Sequence, residues 1–127
     1  VEAARLAATR RTDEDVTAIE AALGEREKAW ANGDPEKFVE ADLAFHVAVV
    51  EATHNNVLID LYTDFSAALR ASIAAAGGSL EQNYIPHDSI VRAIAAGDAA
   101  AAERAGHACM EHILIALTDT QNLTASA

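Results

Sequence analysis

The chain predicts an all-α fold, an antiparallel bundle of about six helices, and three observations carry that expectation. Alanine is abundant while aromatic residues make up only 5% and prolines number two, a composition that favours closely packed helices over a sheet. Apolar residues recur at three- and four-residue spacing along most of the chain. The breaks between these stretches are short, which joins neighbouring helices antiparallel. With 127 residues and 51% hydrophobic content, the chain is expected to form one domain over 1–127 with a substantial core.

Residues 2–10 read as a short helix with Leu6 and Ala3 or Ala7 on its apolar face. Thr12 followed by Asp13-Glu14-Asp15 is a start signal, because the hydroxyl can cap and the acids suit a helix N-terminus. The second helix places Val16, Ile19, Ala22 or Leu23, and Trp30 inside, and Asn32-Gly33 stops it. Asp34-Pro35 restarts the chain as N-cap and first helical residue. A third helix carries Phe38, Asp42, Phe45, His46 and Val49 to about His54, where Asn55-Asn56 breaks and caps. The fourth buries Leu58, Leu61, Tyr62, Phe65, Leu69 and Ile73 and ends near Gly77-Gly78. Across 79–85 a capping box from Ser79 to Gln82 competes with the simpler placement of Pro86 in the first turn of helix five. That helix runs through Ile90, Val91 and Ile94 to Gly97; Asp98 caps the sixth, which extends to about Leu117 before a frayed tail.

Twenty acidic residues against nine basic ones give a formal charge of −11. Such a surface repels phosphate backbones, so nucleic acid is not expected to bind this segment directly. No apolar run is long enough to span a bilayer, and no signal peptide, phosphate-cradling glycine loop or nucleophile elbow is present. The single cysteine excludes an internal disulfide and fits a reducing cytoplasm. The chain opens already in helical register at Val1-Glu2-Ala3-Ala4-Arg5-Leu6, as a segment cut from a longer protein would.

Four polar residues fall on apolar faces. Asp42 and His46 are four apart, hence on one face of helix three beside Phe38, Phe45, Val49 and Val50. His87 shares a face with Ile90, Val91 and Ile94, and Cys109 lies in the stripe Ala102, Ala105, Cys109, Ile113, Ala116. Singly, each has a plain structural explanation: a carboxylate–imidazole hydrogen bond, a satisfied core histidine, a small buried thiol. Together they offer one oxygen, two nitrogens and a sulfur projecting inward, as metal sites in bundle cores do. His112, one turn beyond Cys109, could reach the same region in its place; His107 lies on roughly the opposite face, and His54 sits at a helix end.

The order of features resembles the FCD (FadR C-terminal) effector-binding domain of GntR-type transcription regulators. The resemblance covers nearly the whole chain: Glu2…Leu6-Ala7-Ala8…Thr12, the central Asp42-x-x-Phe45-His46, Ala52…Asn55…Leu58, and His87-x-x-Ile90-x-x-Ala93-Ile94-x-x-Gly97-Asp98. It implies a six-helix bundle that dimerises, a divalent metal held by Asp42, His46 and His87, and a small carboxylate effector completing the coordination. In this family the fourth ligand is usually histidine, whereas here Cys109 stands at that position with His112 one turn later. Cys109 as a thiolate, His112 as its substitute, or a weakened site are the three outcomes open. Zinc is favoured, with nickel and manganese as alternatives. For an anionic effector Arg5 and Arg70 are the candidate counter-charges, and Tyr62 and Asn83 the candidate hydrogen-bonding groups; solvation is the plain alternative for each arginine, and Arg10 and Arg11 are assigned to the surface.

The resemblance thus implies a non-enzymatic sensor whose DNA-binding winged helix-turn-helix lies outside this chain. Two other readings of the inward polar residues are a small helical-bundle metal-dependent hydrolase and a metal-free dimerisation module.

Overall fold

The structure, a computed structural model, describes residues 2–75 and 86–108, with the side chains of 72–75 excepted. Within them the chain forms α1 (Glu2–Arg10), α2 (Asp13–Ala31), α3 (Pro35–Glu51), α4 (Asn56–Ala75) and α5 (Asp88–Ala96). A further helix, α6, occupies 99–108. The expected all-α bundle is what forms, with no strand among the described residues. The reading of 79–85, the side chain of Ile73 and everything from Cys109 onward lie outside the described residues.

Helix boundaries follow the local signals closely. Thr12 caps α2: its hydroxyl accepts from the Asp15 N–H at 3.1 Å, while the Asp15 carboxylate accepts from the Thr12 N–H at 2.9 Å. Two otherwise orphaned donors are satisfied reciprocally. Thr12→Ala is expected to lower stability by about 1 kcal/mol, read as a shift in the urea midpoint without a change of slope. Asp34 accepts from the Lys37 N–H at 3.1 Å with Pro35 at the first helical position. The Asn55 side chain accepts from the N–H groups of Val57 and Leu58 at 3.1 and 3.3 Å, starting α4. Gly97 closes α5 at φ 71°, a left-handed conformation that glycine adopts without penalty, and Asp98 accepts from the Ala101 N–H at 3.0 Å.

The bundle centres on a long α2–α3 hairpin, with α1 packed against α3 and α5, and α4 laid along α3. Its core joins Ala4, Ala7 and Ala8 of α1 to Ile19, Phe45, Val49, Ala52, Ile90, Val91, Ile94 and Ala102. The alanines explain the close approach of helices around Phe45, which is fully buried. Arg11, assigned to the surface, instead reaches across to the C-terminus of α5, donating to the carbonyls of Ile94 at 3.2 Å and Ala95 at 2.7 Å. A guanidinium is favoured at the negative end of a helix, where it adds a donor to the terminal carbonyls.

Four placements differ from the periodicity reading. Pro86 and His87 precede α5 rather than lying in its first turn; His87 occupies the N-cap position but caps nothing, its side chain being turned into the bundle. Trp30 is exposed along one edge, with its ring tilted against Phe38 at 5.4 Å between centroids. In α4 the inward face is narrower than expected: Leu61 and Phe65 are exposed, as is Val57, and these three are stacked four apart on one outward stripe. Thr53 and the left-handed His54 (φ 52°) form the turn after α3, and the His54 Nε2 lies 2.7 Å from the Asp15 carboxylate, tying this corner to the cap of α2.

Candidate metal and effector site

Asp42 and His46 come from the middle of α3, where their four-residue spacing stacks them on one face. His87 enters from the segment before α5. Potential ligand atoms of all three lie within 4.8 Å of one another. One carboxylate oxygen, Asp42 Oδ1, faces both imidazoles, 3.6 Å from His46 Nε2 and 3.4 Å from His87 Nε2. Donor atoms about 2 Å from a common tetrahedral ion stand about 3.3 Å apart, so these separations fit a divalent cation with small side-chain adjustments. A hard oxygen with two imidazoles is also a suitable donor set for zinc, nickel or manganese.

Packing holds the two rings in place. The His87 side chain is 4% exposed; Phe45 lies against both histidines, with centroids 5.4 Å from His46 and 5.3 Å from His87. Their own rings meet edge-on at 5.2 Å. Asp42 and His46 keep a route to solvent, at 28% and 31% side-chain exposure. Tyr62 of α4 stands beside His46, with ring centroids 6.3 Å apart. Tyr62 also walls an apolar cleft of about 200 Å³ formed with Ala3, Val50, Leu58, Leu61 and Phe65.

A residue that periodicity had not singled out completes the arrangement. Arg26 of α2 is 2% exposed, and its Nε donates to Asp42 Oδ1 at 2.6 Å. The same guanidinium reaches the Glu27 carboxylate at 3.0 Å and lies 4.9 Å from the centre of the Phe38 ring. The signal was present in the sequence: Arg26 continues the inward register of Ile19 and Leu23. An arginine on an apolar stripe reads as solvated until the opposing helix reveals a carboxylate.

The electrostatics keep Asp42 ionised and His46 neutral. Burial acts to raise the Asp42 pKa, but His87, His46 and the Arg26 guanidinium together outweigh it and hold the carboxyl well below its ordinary range. His46 is pushed down to about 4, chiefly by burial and further by His87 and Arg26, against the opposing pull of Asp42. Tyr62 is pushed up to about 12 by burial and by the Asp42 charge; the Ser66 hydroxyl opposes the shift from nearby yet closes no hydrogen bond of ordinary geometry. At neutral pH the site therefore presents one anion and a ready imidazole, the protonation states that metal ligands require.

His46 binds fewer protons folded than unfolded between about pH 4 and its ordinary value of 6.5. Stability from keeping it neutral is complete above 6.5 and is lost as pH falls through that window. A decline on the order of 2 kcal/mol is expected between pH 7 and 4 in metal-free protein, with His46→Gln flattening it. Urea denaturation at fixed ionic strength measures both. Below pH 4 the depressed Asp42 adds a further loss of the same sign, because its stabilising charge is then titrated away.

Of the candidate effector residues, Tyr62 lies at the site. Arg5 pairs with Glu2 one turn back on α1, and Arg70 is exposed and bonded to Glu40 of α3 at 2.8 Å, so neither is free on an inward face. Asn83, Cys109 and His112 lie outside the described residues. His107 is exposed, as its position opposite Cys109 on the helix implied.

Sequence comparison gives this helical bundle its class. The FCD domain family model matches residues 1–112, and the chain belongs to this family. Among its relatives, the HTH-type transcriptional regulator LutR of Bacillus subtilis is 34% identical over 110 residues, covering 80% of this chain and 49% of its own length. The galactonate operon transcriptional repressor of Escherichia coli is 37% identical over 106 residues, covering 80% of this chain and 45% of its own. A putative L-lactate dehydrogenase operon regulatory protein of E. coli shares 32% over 104 residues, covering 69% and 39%. The chain thus spans about half the length of the first of these relatives. These relatives are named as regulators of transcription, not as enzymes, and the hydrolase reading is set aside.

Proposed function

We propose that this domain is the ligand-sensing and dimerisation part of a GntR-type transcription regulator, and that it binds a small carboxylate through a divalent metal held by Asp42, His46 and His87. The observation that carries this reading is the convergence of the three ligands around Asp42 Oδ1, with both imidazole Nε2 atoms within 3.6 Å of it, inside an FCD domain. Three protein ligands leave positions open for a bound molecule. Galactonate and lactate, the acids behind the operon names of two relatives, are both 2-hydroxy carboxylates, a group that chelates a metal through two oxygens. An effector of that class is proposed here, with Tyr62 beside it. Zinc is the favoured metal, and Cys109, or His112 in its place, is proposed as the further protein ligand.

An effector can alter DNA affinity only if it binds one helix arrangement better than another. The site is suited to that, because its ligands come from α3 and the α5 entry while α2 and α4 supply Arg26 and Tyr62. DNA contact is proposed to lie with a winged helix-turn-helix domain outside this chain, consistent with the charge of −11. Homodimerisation is supported by the exposed stripe Val57, Leu61 and Phe65 on α4. No helix among the described residues is long and apolar enough to cross a membrane, and a cytoplasmic location is proposed.

Metal analysis of the purified domain, followed by thermal melts with added zinc and then a panel of 2-hydroxy acids, tests the reading. Zinc is expected to raise the melting temperature, and a matching acid to raise it further only in zinc-loaded protein. No affinity for zinc, nickel or manganese would overturn the metal site and leave a metal-free dimerisation module.

A further inference from the structure

We infer that Arg26 is an internal cation that competes with the metal for Asp42, so that loading the site exchanges one positive partner of the carboxylate for another. This rests on the metal reading above and concerns its regulation. The oxygen that faces both imidazoles is the same one the guanidinium holds: Oδ1 lies 2.6 Å from Arg26 Nε, 3.4 Å from His87 Nε2 and 3.6 Å from His46 Nε2. A dication bonded to that oxygen would lie beside a buried positive charge with little water between them. Arginine cannot relieve the repulsion by losing a proton. It can relieve it by moving.

The structure supplies somewhere for it to go. Glu27 already takes Nη1 at 3.0 Å, with its side chain 41% exposed and so able to follow, and the Phe38 ring offers its face at 4.9 Å. Releasing Asp42 would therefore not strand the guanidinium. In the metal-free domain Arg26 neutralises the carboxylate; in the loaded domain Glu27 and Phe38 retain the arginine while the metal neutralises Asp42. Two consequences follow. Metal affinity is set below what the three ligands alone would give, and metal loading is coupled to the position of α2 against α3.

The opposing possibility is that Arg26 merely orients Asp42 from outside while the metal binds. The two differ in the sign of one measurement. Arg26→Met removes the charge and keeps a side chain of similar length against Phe38. Under exchange, the variant should bind zinc at least tenfold more tightly than the parent in competition with a chromophoric chelator, and its metal-free melting temperature should fall. Arg26→Lys keeps the charge and should remain within a few-fold of the parent. Glu27→Gln, at a half-exposed position that leaves the core intact, removes the charge of the alternative partner while keeping an acceptor oxygen, and should weaken zinc binding several-fold; it serves if Arg26→Met does not fold. Equal or weaker binding by Arg26→Met, tightening by Arg26→Lys as large as that by Arg26→Met, or no effect of Glu27→Gln would each overturn the exchange while leaving the metal site standing. Failure of the parent and all variants to bind zinc would overturn both.

Discussion

Asp42→Ala is expected to abolish measurable zinc binding and to destabilise the metal-free domain by about 3 kcal/mol, a fall in melting temperature on the order of 10 °C. Both effects have one origin. Asp42 supplies the only anionic oxygen of the triad and is also the partner of the buried Arg26 at 2.6 Å. Removing one member of a buried pair leaves the other charge desolvated without compensation. The loss falls at the low end of the usual range because Arg26 retains Glu27 at 3.0 Å. Asp42→Asn separates the two contributions: its amide oxygen still accepts from the guanidinium, so about half the stability should return while zinc binding stays lost. Calorimetry of both variants with and without zinc provides the check, and a parent-like zinc affinity in Asp42→Ala would rule out the carboxylate as a ligand.

The second large effect is expected at Phe45. Its side chain is fully buried and packs against both His46 and His87. Phe45→Ala should cost about 3–5 kcal/mol through lost transfer energy and the cavity left behind. Any folded fraction should bind zinc about tenfold or more weakly, since the rings then lose the wall that sets their orientation. Phe45→Leu refills most of the volume and is expected to cost about 1 kcal/mol with a smaller change in affinity. Chemical denaturation and chelator competition on the two variants give both numbers. A parent-like affinity in Phe45→Ala would show that the rings are held by something other than this contact.

These residues differ in how far their roles could be read before the fold was known. Asp42 and His46 were legible because four-residue spacing on a helix is a local fact, and two costly polar groups on an apolar face demand a partner. The caps at Thr12, Asp34, Asn55 and Asp98 were legible for the same reason: each bonds within three residues of itself. His87 was placed inward by its face, but its position just before α5 was not, because its ring is held by Asp42 and Phe45 on α3. Arg26 lies on an inward register with no local sign of its partner, and Arg70, a candidate counter-charge for an effector, is exposed and paired with Glu40. Long flexible cations take the direction of whichever carboxylate the neighbouring helix presents, and no periodicity encodes that.

Local chemistry determined the helices, most of their ends, the all-α class and the shared face of Asp42 and His46, because spacing and capping act over single turns. Tertiary structure alone decided that Arg26 and His87 meet at the Asp42 oxygen, that Arg70 is occupied by Glu40, and that Val57, Leu61 and Phe65 face outward. Each of those depends on a distance between helices. Only the packed alanine-rich core, by bringing backbones close around Phe45, determines which charges must meet.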